Sequence, residues 1–345
     1  GNRQFCPMVR RTETLRQYEA ADLPQKCQEV VSSYPPELLK RALNYLYTKE
    51  TKSSFEIEHI TPSSTRTERF ISMLKLARDE DFCEKPRLIE LQNRIVDPRF
   101  KAADYRDNQN YVGDAVAWQK ERVHYVCPKP ENIHDLMEGL IACHQRLEES
   151  GAAAVAHAAS IAYGFVFLHP FEDGNGRIHR FLIHNILARR DFTTEGIMFP
   201  VSAAMLNMPA EYDASLEAHS RPVLELAEYT LDVDGRMTVI NDVAVWYRYV
   251  DMTAQTEALY WFIERTIESE LIEELAFLAN YDKAKDLLQE IVDMPGRKID
   301  LLIRFCLQNN GQLSAKKRAS HFDFLSEDEV ARMETAIQSA YGSSG

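Results

Sequence analysis

Residues 35–60, PPELLKRALNYLYTKETKSSFEIEHI, place Leu38, Leu39, Ala42, Leu43, Leu46 and Tyr47 three and four apart behind a proline pair. That spacing lines one face of a helix, and proline suits its first turn. TPSSTRTERF then breaks the pattern, and ISMLKLARDE resumes it. Between residues 111 and 130 the period changes. Two short runs with aromatic and β-branched residues flank a polar tip, and prolines close the second, which predicts a β-hairpin. Helical spacing returns over about 131–148, 151–168 and 176–190. It returns again from Thr253 to Val292, is interrupted by MPG at 294–296, and continues as two or three short helices. Ser326 and Glu329 fit a capping box for the last of these. Residues 1–35 are polar and mixed and predict no clear element. The chain reads as mainly α with one hairpin, without internal repeats or low-complexity tracts.

The 345 residues carry a net charge of −13. This length suits two or three domains with a real core. The acidic balance argues against a general nucleic-acid binder, which would show a basic face. The one basic run, KKR at 316–318, reads as a solvated helix face. Six scattered cysteines without CxxC or zinc spacing fit reduced thiols in a cytoplasmic protein. No apolar run reaches membrane-spanning length and no signal-peptide pattern opens the chain, so no membrane partner is expected. An opening Gly1 leaves room for a longer native chain.

The candidate chemistry is concentrated in FLHPFEDGNGRIHRFLIH, residues 167–184. An apolar helix leads to His169, which Pro170 restricts and helps to end. Gly174-Asn175-Gly176 permits positive φ and can point successive N–H groups into one concavity. Helical spacing resumes at once, so the turn lies at a helix N-terminus, where an anion is favoured. Arg177 and Arg180 are one turn apart and carry forked donors suited to phosphate. Asp173 is a hard oxygen ligand able to hold Mg²⁺ on phosphate oxygens, and His169 can accept a proton near neutral pH. His169, His179 and His184 as a metal set is a weaker reading, because the last two do not share a helix face well. Each element alone is ordinary. Together they equip a site for attack of a hydroxyl on a nucleotide phosphate.

HPFEDGNGR followed by IHR resembles the signature of Fic (filamentation-induced-by-cAMP) domain proteins, HxFx(D/E)GNGRxxR. The likeness extends upstream to the hairpin ending in YVCPKP, which is similar to the family's target-docking flap, and covers roughly 105–220. It implies a helical bundle with one hairpin and transfer of AMP from ATP to a Tyr, Thr or Ser hydroxyl of a protein. His169 would be the base, Phe171 a core anchor and Asp173 the Mg²⁺ ligand. Gly174, Asn175 and Gly176 would line the anion hole, and Arg177 and Arg180 would contact phosphates. An intact GNGR favours AMP transfer over the phosphorylation of Doc-type relatives. The adenine pocket is expected to draw on Tyr212 in LNMPAEYDASLEAH.

TKSSFEIEHIT (51–61) carries Ser54 and Glu58 four apart, on one helix face. It resembles the family's inhibitory motif (S/T)xxxE(G/N), with His59 where Gly or Asn is usual. By that resemblance Glu58 would occupy Arg180 and keep ATP from its productive pose. The expected organisation is a helical N-terminal region with the inhibitory motif (1–95), a Fic core (96–235) and a helical C-terminal region (236–345). The partner would be a protein substrate, the chain itself included, and a homodimer is compatible with this reading. Two competing readings are a hydrolase that uses Glu58 to remove AMP, and a non-enzymatic regulator that senses nucleotide.

Overall fold

The computed structural model describes residues 1–117, 120–193 and 197–342. Its backbone divides into two compact units, one of residues 1–33 and 43–270, the other of residues 34–42 and from 271 onward. Both boundaries expected from the sequence, at 95/96 and 235/236, lie inside the first unit.

The polar opening residues form two short helices, α1 (Glu13–Ala20) and α2 (Leu23–Ser32). Thr12 and Asp22 cap them by accepting from Leu15 N and Gln25 N, contacts worth about 1 kcal/mol each. The stripe behind the proline pair is α3 (Pro36–Glu56), which buries Leu38, Ala42 and Leu46. It stops at Glu56 rather than running to residue 60. His59 N donates to Glu56 O, Ile60 N donates to Phe55 O, and His59 is left-handed at φ 55°. This is a Schellman turn, in which the left-handed position normally takes Gly or Asn. α4 (Ser64–Lys75) begins inside the stretch expected to break the pattern, because Ser63 accepts from Arg66 N and caps it. α5 (Lys85–Ile95), not anticipated, buries Leu88, Leu91 and Ile95.

The expected hairpin is present: β1 (Tyr111–Ala117) pairs antiparallel with β2 (Lys120–Val126), Tyr111 opposite Val126. Residues 118–119, between the two strands in sequence, lie outside the described residues. α6 (Pro130–Glu148), α7 (Ala154–Leu168) and α8 (Asn175–Arg189) follow close to their expected bounds. Then come α9 (Val201–Asn207) and α10 (Pro209–Leu226). A second hairpin, β3 (Tyr229–Leu231) with β4 (Met237–Val239), was missed. Its signal was the Asp234-Gly235 pair, and Gly235 takes the positive φ (76°) that the turn requires. α11 (Ala244–Arg248) and α12 (Thr253–Arg265) complete this part of the chain. α7 is apolar all round and nearly wholly buried, packed against α6, α8 and α12. It is the post on which the motif is mounted.

In the second unit α13 (Ile272–Ile291), α14 (Gly296–Leu307), α15 (Ala315–His321) and α16 (Glu327–Tyr341) enclose Leu288, Ile299, Ile303, Phe322 and Ile337. The capping box of Ser326 and Glu329 forms as expected.

Candidate active site

His169 caps α7 with a left-handed backbone, φ 51° and ψ 56°. The helix ends there, before Pro170, as expected, although residues before proline usually take the extended region. The left-handed conformation instead costs on the order of 1–2 kcal/mol in a non-glycine residue. His169 Nδ1 lies 3.1 Å from Val166 O. A carbonyl only accepts, so Nδ1 carries the proton and Nε2 keeps its lone pair. Burial lowers the imidazole pKa to about 4; the Val166 contact opposes this, Arg106 adds to it and Asp173 opposes it. His169 is therefore neutral at physiological pH, and it lines a cleft of about 680 Å³.

The glycine turn forms the floor of that cleft. Gly174 caps α8 at φ 92°. The first helical bond runs from Ile178 N to Gly174 O. The N–H groups of Asn175, Gly176 and Arg177 thus precede the ladder, as an anion site requires. Asn175 also lines the cleft, and its side chain braces the loop. Its Oδ1 accepts from Phe171 N (3.0 Å) and its Nδ2 donates to Phe171 O (2.8 Å), which folds the loop back on itself. Phe171 is fully buried, beside Tyr105 and Phe165.

Both arginines are buried and engaged. Arg177 Nη2 donates to Asp173 Oδ1 (2.6 Å) and Nη1 to Ile95 O (3.3 Å), and its guanidinium lies 5.1 Å over the Phe55 ring. Arg180 donates to Ser54 Oγ (3.0 Å), Ser54 O (2.6 Å) and the Tyr212 hydroxyl (3.4 Å). The Glu58 carboxylate bridges the two. Oε1 accepts from Arg180 Nη2 at 2.8 Å, and Oε2 lies 2.6 Å from Arg177 Nε, off the line of that N–H. A Cβ built on Gly176 would stand 2.5 Å from Glu58 Oε1, so the carboxylate presses directly on the glycine turn. Glu58 is not on the helix face itself but at the cap position of the Schellman turn that ends α3.

Tyr212 lies in the cleft wall, 5% exposed, with its hydroxyl toward Arg180 and its ring between His179 and Phe262. The three motif histidines do not converge. His179 packs edge-on against Tyr163, and His184 Nε2 lies 2.7 Å from Glu50 Oε1. Among the described residues one other cluster, Asp81, His144 and Glu148, brings potential metal ligands within 4.8 Å of one another. His144 there is bonded to His157 and Glu148 is paired with Arg189, so these groups already have partners.

Sequence reasoning missed Arg106, Phe55 and Gln92. Gln92 Nε2 donates to Phe100 O (2.8 Å) and Asp173 O (3.2 Å), which ties α5 to the loop. A buried Gln or Arg that binds only backbone groups leaves no pattern in sequence, because any segment can offer them.

This geometry sets a helix N-terminus with unpaired N–H groups beside a neutral imidazole at the edge of one cleft. Residues 82–187 match the Fic/DOC family, so this part of the chain is a Fic domain. Protein adenylyltransferase Fic of Drosophila virilis is 32% identical over 108 residues, 30% of this chain and 20% of that protein. Protein adenylyltransferase fic-1 of Caenorhabditis elegans is 30% identical over 151 residues, 43% of this chain and 26% of that protein. The match thus spans only about a fifth to a quarter of these relatives. A solved Fic family protein from Desulfovibrio desulfuricans G20 is similar in fold at 16% identity, with a TM-score of 0.50 over 98% of this chain and 86% of that one. No helix among the described residues is long and apolar enough to cross a membrane.

Proposed function

We propose that the chain transfers AMP from ATP to a Tyr, Thr or Ser hydroxyl of a protein and is held back by Glu58. The observation that carries this is the Glu58 carboxylate, seated against Gly176 and bound to Arg180 within the phosphate cradle. His169 Nε2 accepts the hydroxyl proton as that oxygen attacks the α-phosphorus. The bond from that phosphorus to the bridging oxygen breaks, and pyrophosphate leaves with its electron pair. The N–H groups at the start of α8 and the two guanidiniums stabilise the charge that develops. Mg²⁺ fits the donor set: Asp173 offers one carboxylate at the cradle, and phosphates and water complete the shell such an ion prefers. Bound there, it would neutralise phosphate charge.

A carboxylate on the same turn repels the phosphates and holds both arginines, so ATP cannot settle for in-line attack. The test is intact mass after incubation with ATP and Mg²⁺, for the protein and for Glu58→Gly. A gain of one AMP, faster in the variant, is expected. No mass gain in either, with or without added candidate substrates, overturns the reading.

A further inference from the structure

Arg106 is 6% exposed, yet among the described residues no carboxylate forms an ion pair with it. Its guanidinium instead makes three bonds to carbonyls: Nε to His169 O (2.7 Å), Nη1 to Asn108 O (2.6 Å) and Nη2 to Pro128 O (2.7 Å). Its backbone N–H makes a fourth, to Pro170 O (2.8 Å). Two of these acceptors are the successive carbonyls around the left-handed His169. The other two are the feet of the hairpin, Asn108 before β1 and Pro128 after β2.

The C-terminal carbonyls of α7 are filled in the same way. Phe165 O accepts from His169 N, and Val166 O from His169 Nδ1. Phe167 O accepts from the hydroxyl of Tyr125 on β2 (2.6 Å), and His169 O from Arg106. The negative end of α7 is a favourable place for a buried cation that has no anion beside it. A lysine there would keep the charge, but one ammonium cannot serve three divergent carbonyls as a planar fork does.

We propose that Arg106, assisted by Tyr125, is a positioning residue that locks the β1–β2 hairpin and the His169 turn into one hydrogen-bonded body. The inference rests on the adenylyl-transfer reading, in which the hairpin docks the target and His169 takes its proton. Register between hairpin and base then decides whether the hydroxyl meets Nε2, and a misplacement of about 1 Å costs about 10²-fold in rate.

The test uses Glu58→Gly as the active background, with Arg106→Lys or Tyr125→Phe added. Transfer at saturating ATP should fall about 10- to 100-fold for Arg106→Lys and about 3- to 10-fold for Tyr125→Phe, with nucleotide affinity held within about twofold. A purely structural role would move affinity and rate together, and that result overturns the proposal, as does transfer unchanged in both variants. The coupling also has a readout without activity. Backbone hydrogen exchange should quicken together, about tenfold or more, over residues 111–117, 120–126 and 169–175 in Arg106→Lys. If that variant does not fold, the same joint change is read in Tyr125→Phe. Exchange that quickens in one segment alone refutes the proposal. If Glu58→Gly transfers nothing, the adenylyl-transfer reading falls, and hydrogen exchange still decides the coupling.

Discussion

Glu58→Gln deletes one charge and keeps the shape of the side chain. The carboxylate is 24% exposed and bears on Arg177 and Arg180 at 2.6 and 2.8 Å. A phosphate on the same N–H groups would carry its charge about 4 Å away, a repulsion of about 4 kcal/mol at an effective dielectric near 20. Partial exposure and salt reduce this to about 2–3 kcal/mol, or roughly 30- to 150-fold in rate. The same change removes a charged partner from two buried cations. Arg180 keeps Ser54 and Tyr212, and Arg177 keeps Asp173 and Ile95 O. Loss of one charged hydrogen bond with its partners left buried costs about 1–3 kcal/mol. The variant should therefore be faster and less stable at once. Intact-mass time courses with ATP and Mg²⁺ report the first, and thermal unfolding without nucleotide the second. Glu58→Gly adds a helix-end effect of roughly 1 kcal/mol, so Gln should activate nearly as well as Gly if charge dominates. A Gln variant as slow as the parent beside a fast Gly variant would refute the electrostatic account and leave loosening of the turn as the cause.

His169→Ala should lower transfer by about 10²–10⁴-fold while leaving ATP affinity nearly intact, because the base acts only in the transition state; equilibrium nucleotide binding beside single-turnover rates checks this. With the His169 pKa lowered to about 4, the neutral base persists as pH falls through the ordinary histidine range. kcat/KM should stay flat from about pH 8 down to about 5.5, and an acid limb centred near 6.5, the unperturbed value, would contradict it. Asp173→Ala should weaken Mg²⁺-dependent transfer more than nucleotide affinity, as read from Mg²⁺ titrations of the rate; full activity under a chelator would exclude the metal role. His59→Gly should raise thermal stability by about 0.5–1 kcal/mol by relieving the left-handed backbone and slow transfer by the parent protein, whereas a lower melting temperature would show that the His59 side chain makes a net contribution there.

The motif was legible because its residues are specialised. Glycines at positive φ, a histidine after an apolar helix and arginines one turn apart each have few other uses at that spacing, and α7 and α8 fall within a few residues of their expected bounds. Local chemistry is equally legible at the capping box of Ser326 and Glu329, at the Ser63 cap and at the Asp234-Gly235 turn. Other features were not legible even in principle. That Glu58 reaches Arg177 as well as Arg180 depends on where the Schellman turn ends α3, which five residues of motif do not fix. That the Asn175 side chain serves Phe171, and Arg106 the His169 turn, depends on backbone carbonyls that every residue has.

The departure at His59 and the burial of α3 bear on one another. From its C-terminal end α3 runs along α8 as a ladder: Glu58 against Arg177 and Arg180, Ser54 against Arg180, and Glu50 against His184, with Ser202 N donating to Glu50 as well (2.8 Å). Glu50 and Ser54 are wholly buried, so withdrawing the helix would strand polar groups, at a cost of about 3–5 kcal/mol for a broken buried pair. Glu58 stands apart from them, partly exposed and held by a turn whose left-handed residue is an exposed histidine rather than glycine. Local opening is drawn from the least stable segments. On the autoinhibition reading, relief therefore starts at residues 57–60, by fraying of the turn that carries the carboxylate, while the buried rungs at Ser54 and Glu50 keep α3 in place and let Glu58 return.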